Sequence, residues 1–163
     1  MSDVAHDVDL STGAWNRRRF EVALANAVHQ AHRAGEPLSL VYVDIDELQE
    51  QNDLHGKAEL DEVISELASL IAREVNGAGP IGRVDGDAFA IFLKVPLRSA
   101  VEVAERIRRS AGAASAVART LRVTVSAGVA QLRRGEPWGN LLDAAEDACT
   151  RAKQHGRNSV AAR

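Results

Sequence analysis

The segment Pro37-Leu-Ser-Leu-Val-Tyr-Val-Asp-Ile-Asp46 constrains the fold more than any other part of the chain. Its centre is almost continuously apolar, β-branched and aromatic. A strand wet on one face would alternate, so this pattern predicts a strand covered on both faces, in the middle of a sheet with helices above and below. The run ends in two aspartates, Asp44 and Asp46. The two-residue period of a strand sends both to the same side, and ligand sites in open α/β sheets lie outside the carboxyl ends of the strands.

The flanking sequence supplies the other layers. Asn16 to Ala34 predicts a helix, with Phe20, Leu24, Ala27, Val28 and Ala31 on one stripe and Gly35 and Pro37 ending it. A second helix is expected over about Ala58 to Val75, closed by the breaker Asn76-Gly-Ala-Gly-Pro80. Ile81 to Val84 and Asp87 to Leu93 read as two strands joined at Asp85-Gly86, a hairpin signal whose usual turn needs positive φ at both positions. A helix over Leu97 to Ala114, a strand over Leu121 to Leu132, a helix over Leu141 to Gln154 and a short strand at Ser159-Val-Ala161 complete the order αβαββαβαβ. That order predicts an α/β fold, an α+β sandwich with one central mixed five-stranded sheet flanked by helices. With 163 residues the chain has the length of one domain. Residues 1–8 read as a polar lead-in and 9–163 as the domain, which leaves no room for a separate sensor.

Composition removes whole classes of function. Hydrophobic residues are 45% and charged residues 26% of the chain, a globular profile that excludes disorder and fibrous repeats. The single cysteine, Cys149, rules out an internal disulfide framework or a Cys-rich zinc site and suits a reducing cytoplasm. A net charge of −3 offers no broad electropositive field for nucleic acid. No apolar run approaches the ~20 residues that cross a bilayer, and Met1 to Leu10 carries three Asp and no apolar core of a signal peptide. The expectation is a cytoplasmic protein with no nucleic-acid or membrane partner.

Three groups could carry chemistry. Asp44 and Asp46, with Asp85 and Asp87 from the hairpin, would bring up to four carboxylates together if the two strands are neighbours. Oxygen ligands without His or Cys suit Mg²⁺ or Mn²⁺, and paired acids holding such an ion beside a nucleotide serve phosphoryl transfer. Asn52 with Asp61 could read the edge of guanine, the acid accepting from the ring N–H and the exocyclic amine. Lys153 and Arg157 around Gly156 could hold phosphates. Spacing alone favours plainer roles for each: a strand end and a turn, a helix cap and a solvated acid, helix-terminal charges and a glycine cap. Cys149 lies among Ala145, Ala148 and Ala152 and reads as a small buried hydrophobe. His29 and His32 lack an acidic or Cys partner for a metal. Arg17-Arg-Arg19 reads as a solvated helix start.

Taken together the segments resemble a GGDEF domain, the catalytic domain of diguanylate cyclases. Asp9-Leu-Ser-Thr-Gly-Ala-Trp-Asn-Arg-Arg18 is similar to the family's D-x-L-T-G-L-x-N-R-R opening. Asp44-Ile-Asp46, Asn52-Asp53, Gly56 and Asp61 follow its D-x-D…N-D-x-x-G…D spacing. Arg83-Val-Asp-Gly-Asp-Ala-Phe89 stands where R-Y-G-G-D-E-F belongs, Val125-Ser-Ala-Gly-Val129 resembles the S-x-G-V strand, and Ala145 to Asn158 resembles the A-D-x-A-x-x-x-A-K-x-x-G-R-N close. The resemblance implies a nucleotide-cyclase palm-like fold. It also implies a reaction in which two GTP-loaded domains meet and each 3′-hydroxyl attacks the partner's α-phosphate, yielding cyclic di-GMP and two pyrophosphates. It implies Asp44 and Asp87 as metal ligands beside the Ile45 carbonyl, Asn52 and Asp61 as readers of guanine, and Lys153 and Arg157 at the phosphates.

The departures point the other way. Asp85 replaces the first signature Gly and sets a carboxylate where a triphosphate would approach. Ala88 replaces the signature Glu, an acid needed for metal or proton handling. Gln49 stands where the family has a phosphate-contacting Lys, Leu60 where it has the Gly before the guanine-reading Asp, and Lys57 where it has a His. The family's product-inhibition motif, R-x-x-D, falls on Asn76-Gly-Ala-Gly79, which has neither charge. The expectation is a degenerate domain with little or no cyclase activity, acting as a nucleotide-binding or protein-interaction module, with a protein partner or a second copy as its target. The alternative is a working cyclase in which Asp85 joins Asp44 and Asp87 as a replacement metal ligand.

Overall fold

The computed structural model describes residues 6–117 and 123–163. Ten elements follow in chain order: α1 (Arg17–Ala34), β1 (Ser39–Ile45), α2 (Leu48–His55), α3 (Lys57–Val75), β2 (Ile81–Asp85), β3 (Ala88–Leu93), α4 (Leu97–Val117), β4 (Val125–Gln131), α5 (Trp138–Gln154) and β5 (Val160–Ala162). The strands form one sheet in the order β2-β3-β1-β4-β5. All pairings are antiparallel except β4 with β5. The expected mixed five-stranded sheet is therefore present, with β1 at its centre.

Two apolar clusters explain why β1 is nearly all apolar. Val41, Val43 and Ile45 pack toward α3 and α4 with Ile64, Ile71, Ala104 and Ile107. Leu40 and Tyr42 pack on the opposite face with Phe20 and Leu24 of α1 and Leu141, Ala145 and Cys149 of α5. The buried stripe of α1 is the predicted set of five, and the helix is capped at both ends. The Asn16 side chain accepts from the Arg19 N–H at 2.9 Å, and Gly35 takes the left-handed conformation after the last turn.

The structure corrects the sequence reading in several places. The segment Leu48 to His55 forms a helix that was not predicted, because none of its residues is buried and it has no apolar face to reveal it. Gly56, at φ 85° and ψ 167°, breaks it from α3 in a region of backbone space open to glycine alone. The hairpin forms, but neither Asp85 nor Gly86 has positive φ. Asp85 belongs to β2, whose pairing with β3 slips between Arg83 and Asp85, so the bend falls on Gly86-Asp87. α5 begins three residues earlier than expected and α4 runs three residues further. The strand expected from Leu121 is ordered as β4 only from Val125; Leu121 and Arg122, like residues 1–5 of the lead-in, lie outside the described residues. No helix among the described residues is long and apolar enough to cross a membrane.

One close approach sets the height of α5 above the sheet. A Cβ on Gly128 would stand 2.0 Å from the Ala145 carbonyl oxygen and 2.2 Å from the Cys149 nitrogen. The α5 backbone thus rests directly on β4 and carries Lys153 to the carboxyl end of β1. Gly128→Ala should lower stability by about 2 kcal/mol or more, read from urea unfolding, because the obstacle is backbone and cannot rotate away. Unchanged stability would contradict this packing.

Candidate functional site

The carboxyl end of β1 meets the β2–β3 hairpin on one side and the turn after α5 on the other. Asp46 is 4% exposed. Its carboxylate accepts from Thr124 Oγ1 at 2.6 Å, Ser126 Oγ at 2.7 Å and the Asn158 backbone N–H at 3.0 Å. Its own N–H donates to the Thr124 carbonyl at 2.9 Å. Asp46 is therefore a tie between β1, β4 and the turn after α5, and its oxygens are already engaged by protein donors.

Asp44, on the same face, has a different environment. Its Oδ2 lies 3.0 Å from Lys153 Nζ, and Lys153 Nζ also donates to the Ile45 carbonyl at 3.2 Å. Its Oδ1 is buried with no hydrogen-bond partner among the described residues. Burial, and then the neighbouring Asp87 carboxylate, push Asp44 up from 3.8 to about 6 against the pull of Lys153. The sequence reading allowed four converging acids, and the structure brings two together. Asp46 is turned to other work, and no group of three His, Cys, Asp or Glu positioned to hold a metal ion exists among the described residues.

The hairpin is fastened from below. Arg83 donates to the Gly86 carbonyl through two nitrogens, and to Asp9 Oδ2 at 3.0 Å and Ser11 Oγ at 2.8 Å. The Asp9 turn thereby fixes the strand end that presents Asp85 and Asp87. Asp85 is exposed and accepts the N–H of its own neighbour Gly86 at 2.8 Å. Ala88 pairs directly with Asp44 across β3 and β1 and is 1% exposed. Facing residues in an antiparallel pair share a side of the sheet, so a methyl group stands beside Asp44.

Asn52 lies on α2 and Asp61 on α3, on either side of the Gly56 corner. Both are exposed, and neither side chain makes a hydrogen bond among the described residues. Leu60 is turned inward at 4% exposure, while Gln49 and Lys57 face solvent. Arg157 lies 3.7 Å from Glu47, at the start of α2. Glu47 was not singled out in the sequence; an acid next to Asp46 was the available signal. This corner is strained: Glu47, Arg157 and Asn158 have φ of 57°, 62° and 43°, and Gly156 has 111°.

The remaining candidates have structural roles. Burial pushes the Cys149 thiol up to about 12, and it donates to the Ser126 carbonyl at 3.4 Å. Arg17 reaches Glu21 at 2.7 Å and the Val84 carbonyl at 2.9 Å, and Arg19 stacks 4.0 Å above the Trp15 ring, so two of the three arginines have protein partners. His32 Nε2 contacts the Glu136 carbonyl oxygen at 2.9 Å. Asn76-Gly-Ala-Gly79 forms the turn that closes α3.

The family described as "Diguanylate cyclase, GGDEF domain" matches residues 6–159. The chain belongs to the GGDEF family. It is 34% identical over 163 residues to the diguanylate cyclase DgcM of Escherichia coli K12, covering 99% of this chain and 39% of that protein. The GGDEF domain of DgcB from Caulobacter crescentus, solved in complex with c-di-GMP, superposes with a TM-score of 0.90 at 28% identity over 96% of this chain and 95% of that one. The diguanylate cyclase SiaD of Pseudomonas aeruginosa, solved with its activator SiaC, superposes with a TM-score of 0.90 at 29% identity over 98% of this chain and 64% of that one. The chain spans between 35% and 44% of the length of the curated relatives it matches. The mixed α/β architecture expected from the sequence is that of GGDEF domains.

The pH dependence of stability follows from Asp44. An acid whose folded pKa lies above its unfolded value stabilises the fold while protonated and takes that stability away as pH rises from about 4 through about 6. Asp44→Asn should be more stable than the parent at pH 7.5 without divalent metal, by on the order of 2 kcal/mol, with the gap closing near pH 4. Thermal unfolding across that range checks it. A variant less stable at pH 7.5 would contradict the assignment.

Proposed function

We propose that this chain is a GGDEF domain of cyclic di-GMP signalling that binds guanine nucleotide in the cleft at the end of β1 and has little or no diguanylate cyclase activity of its own. The observation that carries this reading is the strand register that sets Ala88 beside Asp44. The signature acid of the family belongs at that position, next to the acid pair, and a buried methyl group replaces it.

The remaining residues fit a divalent ion. Asp44 has a buried oxygen without a partner, Asp87 lies beside it, and the Ile45 carbonyl faces the same Lys153 ammonium. Mg²⁺ or Mn²⁺ bound to these oxygens would supply charge neutralisation to the phosphates of GTP. Asn52 and Asp61, without hydrogen-bond partners among the described residues, would hold the base. Lys153 and Arg157 would bind phosphate after leaving Asp44 and Glu47. Asp85 adds negative charge at the hairpin, where the nucleotide's phosphates would pass, and the exposed Gln49 supplies no positive charge. Losing an acid and a cation while gaining a carboxylate lowers turnover by ~10³-fold or more. A module that binds nucleotide without turning it over acts through a protein partner or a second copy of itself, and the relative SiaD meets a protein activator.

A second reading, a working cyclase with altered metal geometry, is favoured by the same unpartnered Asp44 oxygen beside Asp87, which leaves room for a metal. Incubation with GTP and Mg²⁺ or Mn²⁺, with chromatography for cyclic di-GMP and calorimetry for GTP, separates the two. The expected outcome is GTP binding that Asp61→Ala abolishes, with no product at ordinary turnover. Product at ordinary rates would overturn the proposal. Asp85→Gly combined with Ala88→Glu should raise nucleotide affinity or activity by about tenfold or more.

A further inference from the structure

Both cations that the family resemblance assigns to phosphate are engaged by acids of the β1–α2 junction: Lys153 on Asp44 and Arg157 on Glu47. The Lys153 contact is the closer and more buried of the two, with the lysine side chain 28% and the aspartate side chain 22% exposed. Its Nζ takes the two kinds of oxygen a divalent ion would need, the Asp44 carboxylate at 3.0 Å and the Ile45 carbonyl at 3.2 Å. Lys153 lies in the last turn of α5, where the exposed carbonyls of the helix end also favour a cation.

We propose that Lys153 is the resident counter-cation of the cleft, and that a divalent ion reaches Asp44 and the Ile45 carbonyl only when the phosphates of a nucleotide draw Lys153 away. This rests on reading Asp44 and Asp87 as cation ligands, and it adds an order to the binding: metal and nucleotide enter together, and free metal is excluded. The physical basis is exclusion and repulsion. An ammonium and a divalent ion cannot share Asp44 Oδ2 and the Ile45 carbonyl, and at a few ångströms in a partly buried cleft an ammonium repels an ion held on the neighbouring Asp44 Oδ1 as well. Lysine suits the role because its charge sits on a flexible four-carbon stem with three rotatable donors, so it can pass from carboxylate to phosphate without movement of α5. The Gly156-Arg157-Asn158 turn that follows is pinned by Asp46, which leaves the swing to the side chain. Arg157 leaving Glu47 completes the exchange. By linkage, whatever nucleotide adds to metal affinity, metal adds to nucleotide affinity.

The test is Mn²⁺ binding to the purified chain, followed by loss of the free-ion electron paramagnetic resonance signal, with and without a non-hydrolysable GTP analogue. Lys153→Met keeps the stem and removes the charge, Lys153→Ala serves as a second variant, and thermal melts verify that both are folded. Without nucleotide, both variants should bind Mn²⁺ about tenfold or more tightly than the parent, while their affinity for the analogue alone falls. In the parent the analogue should tighten Mn²⁺ binding, and in the variants that coupling should shrink. Mn²⁺ affinity equal in parent and variants, yet abolished by Asp44→Asn, would overturn the counter-cation role and leave the metal site standing. No Mn²⁺ bound by any of the chains, with or without analogue, would overturn both.

Discussion

The buried carboxylate of Asp46 is the contact on which the cleft depends. Three parts of the chain that are distant in sequence meet at it: the end of β1, the entry to β4 through Thr124 and Ser126, and the turn after α5 through the Asn158 N–H. A carboxylate removed from water is costly unless its oxygens are hydrogen-bonded, and here both are. The same three bonds hold a turn in which Gly156, Arg157 and Asn158 all have positive φ. Strain of that kind persists only where surrounding contacts impose it. Asp46 and the tight seat of α5 on Gly128 together fix where Lys153 and Arg157 stand relative to Asp44 and Glu47.

Within that frame the cleft neutralises itself. Asp44 is half-buried beside Asp87 and keeps one buried oxygen without a partner among the described residues, an arrangement that opposes its ionisation and costs stability at neutral pH. Groups held in such a state are typical of binding sites, where strain and desolvation are tolerated for the ligand. Lys153 relieves part of the charge. The β3 position paired with Asp44 holds the methyl group of Ala88, so in the proposed reading a ligand would meet fewer acids than the family signature provides.

Much of the fold was legible because it is written in burial. The uninterrupted apolar centre of β1 announced a central strand, and the stripe of α1 named its five buried residues. Where burial is silent, sequence reading failed. α2 has no fully buried residue and only Leu48 packs partly against the core, so no periodicity marked it. The Asp85-Gly86 pair signalled a hairpin but not its turn, because the bulge in β2 moved the bend one residue onward. Alternation correctly placed Asp44 and Asp46 on one face, yet could not say that Thr124, Ser126 and Asn158 would engage Asp46 and leave Asp44 alone. Those partners lie 78 to 112 residues away, and only the tertiary fold chooses them. The pairing of Arg157 with Glu47 was hidden for the same reason.

The central claim, that Asp46 holds the cation-bearing turn against the end of β1, is tested most directly by amide hydrogen exchange at Asn158. In the parent chain that N–H should be protected although its residue is exposed. In Asp46→Asn it should lose protection by about tenfold or more, together with Arg157, while Val41 and Val129 in the sheet centre keep theirs. An Asn158 amide that exchanges at open-chain rates in the parent, or that stays equally protected in the variant, would contradict the account.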